Sequence, residues 1–157
     1  MSTSATDRFR AAAAHVGLEP VVERFPTDTR TAQQAADALG CDLGQIVKSL
    51  IFKADDAVVL VLASGSNRVD ERRAAAFFNV ERLGRASAEE ARTATGFAIG
   101  GIPPCGHLER LEAVIDQDLM QWDQIWAAAG APDAVFRLTP AELVRVTSAT
   151  IAQVATE

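Results

Sequence analysis

Residues 96–107, GFAIGGIPPCGH, concentrate groups that could bind a small ligand and activate water. Gly100, Gly101 and Gly106 free the backbone where a Cβ would keep a ligand away. Pro103 and Pro104 fix φ and stiffen the turn. Amide N–H groups at Gly100, Gly101 and nearby can form an anion-binding concavity. His107 titrates near neutrality and could position or deprotonate a water. A fold does not need this much backbone engineering in one loop, so the segment is expected to wall a small-molecule pocket. On that expectation Gly101→Ala should harm ligand contact more than stability.

Lys48 is the second unusual residue. It stands in QIVKSLIF, residues 45–52, a stretch otherwise built for burial, and lysine is rarely buried unless paired. Strand alternation puts Ile46, Lys48, Leu50 and Phe52 on one face and Val47, Ser49 and Ile51 on the other. Two readings stay open. Lys48 snorkels to the rim of an edge strand, or it is a cation at a pocket floor that holds a carbonyl or phosphate oxygen. On either reading its loss is expected to leave the fold intact.

Other chemistries fit poorly. The glycines of residues 101–107 have a P-loop spacing without its Lys and Ser/Thr, and two prolines remove amide donors that phosphates would need. They do not match G-x-G-x-x-G. Two cysteines and two histidines, with only Cys105-x-His107 as a close pair, argue against a metal site. A Cys105/His107 nucleophile is strained by their spacing in a rigid loop, and Cys105 suits a small apolar wall. His15 is expected to be a helix-end residue.

The elements that must position these residues alternate along the chain. Helices are expected at residues 7–16 (cap Thr6 or Asp7, stop Gly17), 31–39 (ended by Gly40), 70–78, from Ser87 with Glu90 as a capping box, 119–129, and from Thr139 and Pro140 as N-cap and N1. Strands are expected at 20–25, 46–52, 58–63, 80–83, 113–116, 134–138 and 151–155. Residues 53–57 should join the second and third strands as a hairpin. Those two strands are so continuously apolar that they should lie mid-sheet, covered on both faces. The reading is α/β: a single mixed α/β domain over residues 1–157, with a curved central sheet and surrounding helices.

Composition narrows the class. The chain has 157 residues, 48% of them hydrophobic and 23% charged, ordinary for a globular domain. No apolar run approaches the ~20 residues of a membrane span, and the N-terminus lacks a signal-peptide core. Cys41 and Cys105 are expected to be reduced thiols, which suits the cytoplasm. A formal charge of −6 argues against a general nucleic-acid binder, DNA included. It still allows a protein that grips one end of an RNA. Arg68, Arg72, Arg73, Arg82 and Arg85 cluster in one window, either as a solvated face paired with Asp70, Glu71 and Glu81 or as part of such a grip.

Four blocks together resemble the YbaK/ProXp family of free-standing aminoacyl-tRNA editing domains, relatives of the editing insertion of bacterial prolyl-tRNA synthetases. They are FPTDTRTA (25–32) running into AADALG (35–40), QIVKSLIF (45–52), ASGSNRVD (63–70) and TGFAIGGIPPCGH (95–107). The match spans about residues 21–116. The resemblance implies hydrolysis of the ester joining a wrong amino acid to the 3′ end of a tRNA, without metal or cofactor. It implies that Lys48 is the essential lysine and that Gly100 and Gly101 belong to the substrate-holding loop. It also implies that Thr27, Ser66, Asn67, Arg68, Phe97, Ile99, Ile102, Pro103, Cys105 and Gly106 contact substrate. The loop looks closest to members that clear alanine or 2-aminobutyrate from tRNA for proline, although Cys105 stands where a more aliphatic residue is expected. The implied partner is the acceptor end of an aminoacyl-tRNA, with prolyl-tRNA synthetase as a candidate second one. A binding module that holds aminoacyl-tRNA or an amino acid without hydrolysing it is the alternative.

Overall fold

A computed structural model of the chain describes residues 4–25 and 31–156. Its centre is the pair of strands β2 (Val47–Ala54) and β3 (Ala57–Ser64), which the apolar, β-branched composition predicts. They pair antiparallel over their full length, with Lys48 opposite Ala63. The expected 53–57 loop tightens to Asp55 and Asp56, and Asp55 takes a positive φ of 56°. β4 (Leu83–Arg85) joins the far edge of β2, while β5 (Glu112–Asp116) and then β8 (Thr150–Ala152) extend the other side in parallel.

β3 is covered on both faces, as its composition requires. Leu60 and Leu62 pack with Phe9 of α1 (Ala5–His15), Leu143 of α5 (Pro140–Thr147), Ile125 and Phe136. Val59, Val61 and Ala63 face Ala74 and Ala75 of α3 (Glu71–Phe77). Each such buried Leu or Val contributes about 1.5–3 kcal/mol. The remaining helices, α2 (Ala32–Leu39) and α4 (Ala88–Thr95), open on the capping boxes Thr31/Gln34 and Ser87/Glu90.

Several expectations need correction. A second sheet, β1 (Val22–Arg24), β7 (Ala134–Leu138) and β6 (Ile125–Ala128) in the order β1-β7-β6, stands apart from the five-stranded one. The two share the core around Leu60, Leu62, Ile125 and Phe136, and an isolated bridge joins Ile46 to Trp126. The helix expected at 119–129 is instead a 3-10 turn (Gln117–Gln121) followed by β6. Alanine-rich local propensity yields there to antiparallel pairing with β7, which Gly130 (φ 100°) lets the chain reach. The strand expected at 80–83 begins at Leu83, because Phe78 and Val80 are drawn into the cluster beneath α3. α1 starts earlier than expected, with the Ser4 hydroxyl accepting from the Asp7 N–H, so Thr6 is not a cap but a buried helical residue. The last strand stops at Ala152, and Ala155 makes only a bridge to Val69.

Candidate active site

β4 covers β2 only at residues 52–54, so residues 47–51 keep a free edge. Beside residues 47–50 lies an apolar cleft of about 320 Å³ whose other walls include Phe25, Ala35, Ile46, Ile99, Gly100, Ile102, Trp126 and Val135. Lys48 is the only Lys, Arg, His, Asp or Glu among its described lining residues. Its Nζ donates to the Asn67 carbonyl at 2.6 Å. Burial pulls the ammonium pKa below its usual value, and the Asp116 carboxylate pulls it partly back. The half-buried ammonium is thus tied to a main-chain carbonyl beside the cleft.

The loop after β3 owes its shape to Asp116 and Asp118, which sequence reasoning missed. Asp116 is fully buried at the end of β5. It accepts from the Ser64 N–H (3.1 Å), the Asn67 side-chain amide (2.8 Å) and the Asp118 N–H (3.0 Å). Asp118 takes the same Asn67 amide at 2.7 Å. The available signal was an acidic residue closing the apolar run AVID, where a carboxylate needs partners.

The glycine/proline loop divides. Ile99, Gly100 and Ile102 line the cleft with Lys48. Gly100 has φ 98°, and among the described residues its N–H meets no acceptor. Gly101 is buried against Ala131, where an added Cβ would lie 2.8 Å from the Ala131 Cα. This corrects the expectation that Gly101→Ala acts mainly on ligand contact, since the close approach is to the protein's own backbone. Phe97, Pro103, Cys105, Gly106 and His107 do not line this cleft either. Phe97 is buried, with the Arg8 guanidinium 5.0 Å from its ring centre.

Pro104, Cys105, Gly106 and His107 line a separate cleft of about 520 Å³ with Arg110 and Ser148. The His107 Nε2 is 2.7 Å from the Pro103 carbonyl, so the ring braces its own loop. Burial lowers its pKa, and the Pro103 hydrogen bond raises it in part. Burial pushes the Cys105 thiol up to about 11, so it is no nucleophile near neutrality. His107, expected to activate water, therefore lies in the second cleft rather than in that of Lys48, with its Nε2 on the Pro103 carbonyl.

Of the next block, Asn67 reaches Lys48 through its carbonyl, the Ser66 hydroxyl is 3.2 Å from that of Ser64, and Arg68 is exposed. Thr27 lies outside the described residues. Arg73 leaves the arginine cluster, because it donates to the Ala155 carbonyl and sits 3.6 Å from Asp70. Among the described residues no group of three His, Cys, Asp or Glu is placed to hold a metal ion. No described helix is long and apolar enough to cross a membrane.

The same architecture occurs in solved proteins. One described as a candidate trans-editing enzyme for prolyl tRNA synthetase superposes with a TM-score of 0.94 at 41% identity, over the whole of both chains. An uncharacterised protein of Bacillus subtilis (strain 168), YwhH, is 32% identical over 123 residues, 78% of each chain. The proline–tRNA ligase of Macrococcus caseolyticus is 30% identical over 116 residues, which is 73% of this chain but 20% of the ligase. The aminoacyl-tRNA editing domain matches residues 26–146, a stretch that holds Lys48, Asn67, Gly100 and Asp116 together. By that match and these likenesses, the chain belongs to the family of aminoacyl-tRNA editing domains.

Proposed function

We propose that this protein is a trans-editing hydrolase that removes a small wrongly attached amino acid, alanine or 2-aminobutyrate, from tRNA for proline. The observation that carries the reading is the anchored Lys48 ammonium at an apolar cleft of about 320 Å³ beside the Gly100 backbone. An aminoacyl ester is already activated, so modest help suffices. The Lys48 cation and the Gly100 N–H, which meets no acceptor among the described residues, would stabilise the developing oxyanion, and one such donor is typically worth ~10²–10³ in rate. Among the described lining residues none is a carboxylate or an imidazole. The 2′ or 3′ hydroxyl left free on the terminal ribose then orients the attacking water. Ile46, Ile99, Ile102 and Val135 reward aliphatic surface, so selection rests on size more than on polar contacts. The partner is the acceptor end of the tRNA, with prolyl-tRNA synthetase as the enzyme whose errors are cleared and the cytoplasm as the compartment.

With no carboxylate or imidazole among the described lining residues, the second reading is a module that holds aminoacyl-tRNA without cleaving it. Ester loss from alanyl, 2-aminobutyryl, seryl, cysteinyl and prolyl tRNA separates the two. Hydrolysis should be fastest for the alanyl and 2-aminobutyryl esters, with graded differences because one methylene is worth only ~1–3 kcal/mol. Binding without ester loss would establish the second reading, and fastest turnover of the seryl ester would refute the apolar pocket. A terminal adenosine lacking its free ribose hydroxyl should be bound but not hydrolysed.

A further inference from the structure

We propose that Asp116 is a positioning residue that fixes the Lys48 ammonium through Asn67. The inference rests on the working role of Lys48 given above. The relay is continuous on distances. The Asp116 carboxylate takes the Asn67 side-chain amide at 2.8 Å, and the main-chain carbonyl of Asn67 takes the Lys48 Nζ at 2.6 Å. Asp118 holds the same amide at 2.7 Å, so the Asn67 side chain is clamped between two carboxylates. The Asp116 oxygen that binds Asn67 also accepts the Ser64 N–H at the end of β3, which fixes where the loop leaves the sheet.

A fully buried carboxylate with three N–H partners is more than loop closure requires. Backbone carbonyls and waters satisfy most loops without a buried charge, whose desolvation is costly. Here the charge has a counterpart, since the nearby Lys48 is itself half-buried and its ammonium is held up electrostatically by Asp116. Asp118 stands on the 3-10 turn and meets the loop at Asn67, while Asp70, at the start of α3, is turned to Arg72 and Arg73. Asp116 therefore does two things for the cation: it supplies the compensating charge and it holds the carbonyl that aims it. A neutral Asn at 116 has one acceptor oxygen: it either keeps Ser64 and Asn67 and turns its amide on the Asp118 N–H, or keeps Asp118 and meets the Ser64 and Asn67 donors with its own amide.

The chain has two lysines, and Lys53 serves as an internal reference because it pairs with Glu90 on the outer end of β2. The test is nitrogen-15 NMR of the two ammonium groups in the full chain, alone and without tRNA, in wild type, Asp116→Asn and Asn67→Ala. The expected result is that the Lys48 ammonium protons exchange about tenfold or more faster in both variants, because the main-chain carbonyl of residue 67 remains but is no longer held in place to order the charge-assisted hydrogen bond. Lys53 should not change. The Lys48 titration midpoint should also fall in Asp116→Asn, and alanyl-tRNA hydrolysis should lose kcat more than it raises KM. Should Asp116→Asn not fold, Asn67→Ala leaves Asp116 its two backbone donors and carries the test. Unchanged Lys48 exchange in a folded variant would overturn the proposal, even if melting temperature fell. Because the NMR arm needs no substrate, absence of deacylase activity in wild type would defeat the functional reading and leave this one standing.

Discussion

Replacing Gly101 by Ala puts a Cβ 2.8–2.9 Å from the Cα, C and N of Ala131. All three are backbone atoms, so no side chain can swing aside, and either the loop or residue 131 must move. Overpacking of this kind costs about 1–3 kcal/mol. Alanine restricts the unfolded chain and returns about 0.4–1 kcal/mol, leaving a net loss of about 1.3 kcal/mol at the middle of the two ranges and about 2.6 at most. For a chain of this size the middle value lowers the melting temperature by about 3–5 °C. Gly100→Ala is the informative companion. Its Cβ would meet nothing closer than Pro132 at 3.8 Å, but it would sit at φ 98° and beside the cleft. Thermal melts of both variants, paired with alanyl-tRNA kinetics well below either midpoint, separate the roles. Gly101→Ala should melt early and keep its KM within about twofold, whereas Gly100→Ala should raise KM or lower kcat. A Gly101→Ala protein that melts within about 1 °C of wild type yet has lost activity would refute the packing argument and return Gly101 to the ligand.

Further outcomes follow from the same geometry. Lys48→Ala should abolish deacylation and also cost about 1–3 kcal/mol, because it strips a donor from the Asn67 carbonyl and leaves buried Asp116 without its cation. Urea melts check this, and an unchanged midpoint would restore the expectation that the fold is indifferent to Lys48. Burial favours neutral His107, so its contribution to stability is full above pH 6.5 and is lost as pH falls from there through its lowered folded pKa. Melting temperatures between pH 7.5 and 4.5 should show that loss in wild type and less of it in His107→Gln. Arg68 and Arg72 are exposed, and if they flank bound tRNA each alanine replacement should flatten the log–log salt dependence of binding by about one unit. An unchanged slope would make them a solvated face.

What the sequence determined by itself is whatever closes within a few residues. Thr31 with Gln34, Ser87 with Glu90, and Thr139 before Pro140 announce helix starts because their hydrogen bonds span three positions. The alternation around Lys48 fixes which face it shares because strand side chains have period two. Lys48 and Gly100 stood out for these local reasons together with the motif they stand in, and the fold brings both to one cleft. What only the tertiary structure decided depends on partners far along the chain. Residues 125–128 look helical alone and become a strand because β7 offers a ladder. Gly101 reads as a ligand glycine until Ala131, thirty positions on, occupies its space. His107 reads as a base until the turn spends its ring on Pro103. Asp116 meets Ser64 across 52 positions and Asn67 across 49. No local pattern carries those distances, because long-range partners are set by how the sheet and its loops pack rather than by neighbours in sequence.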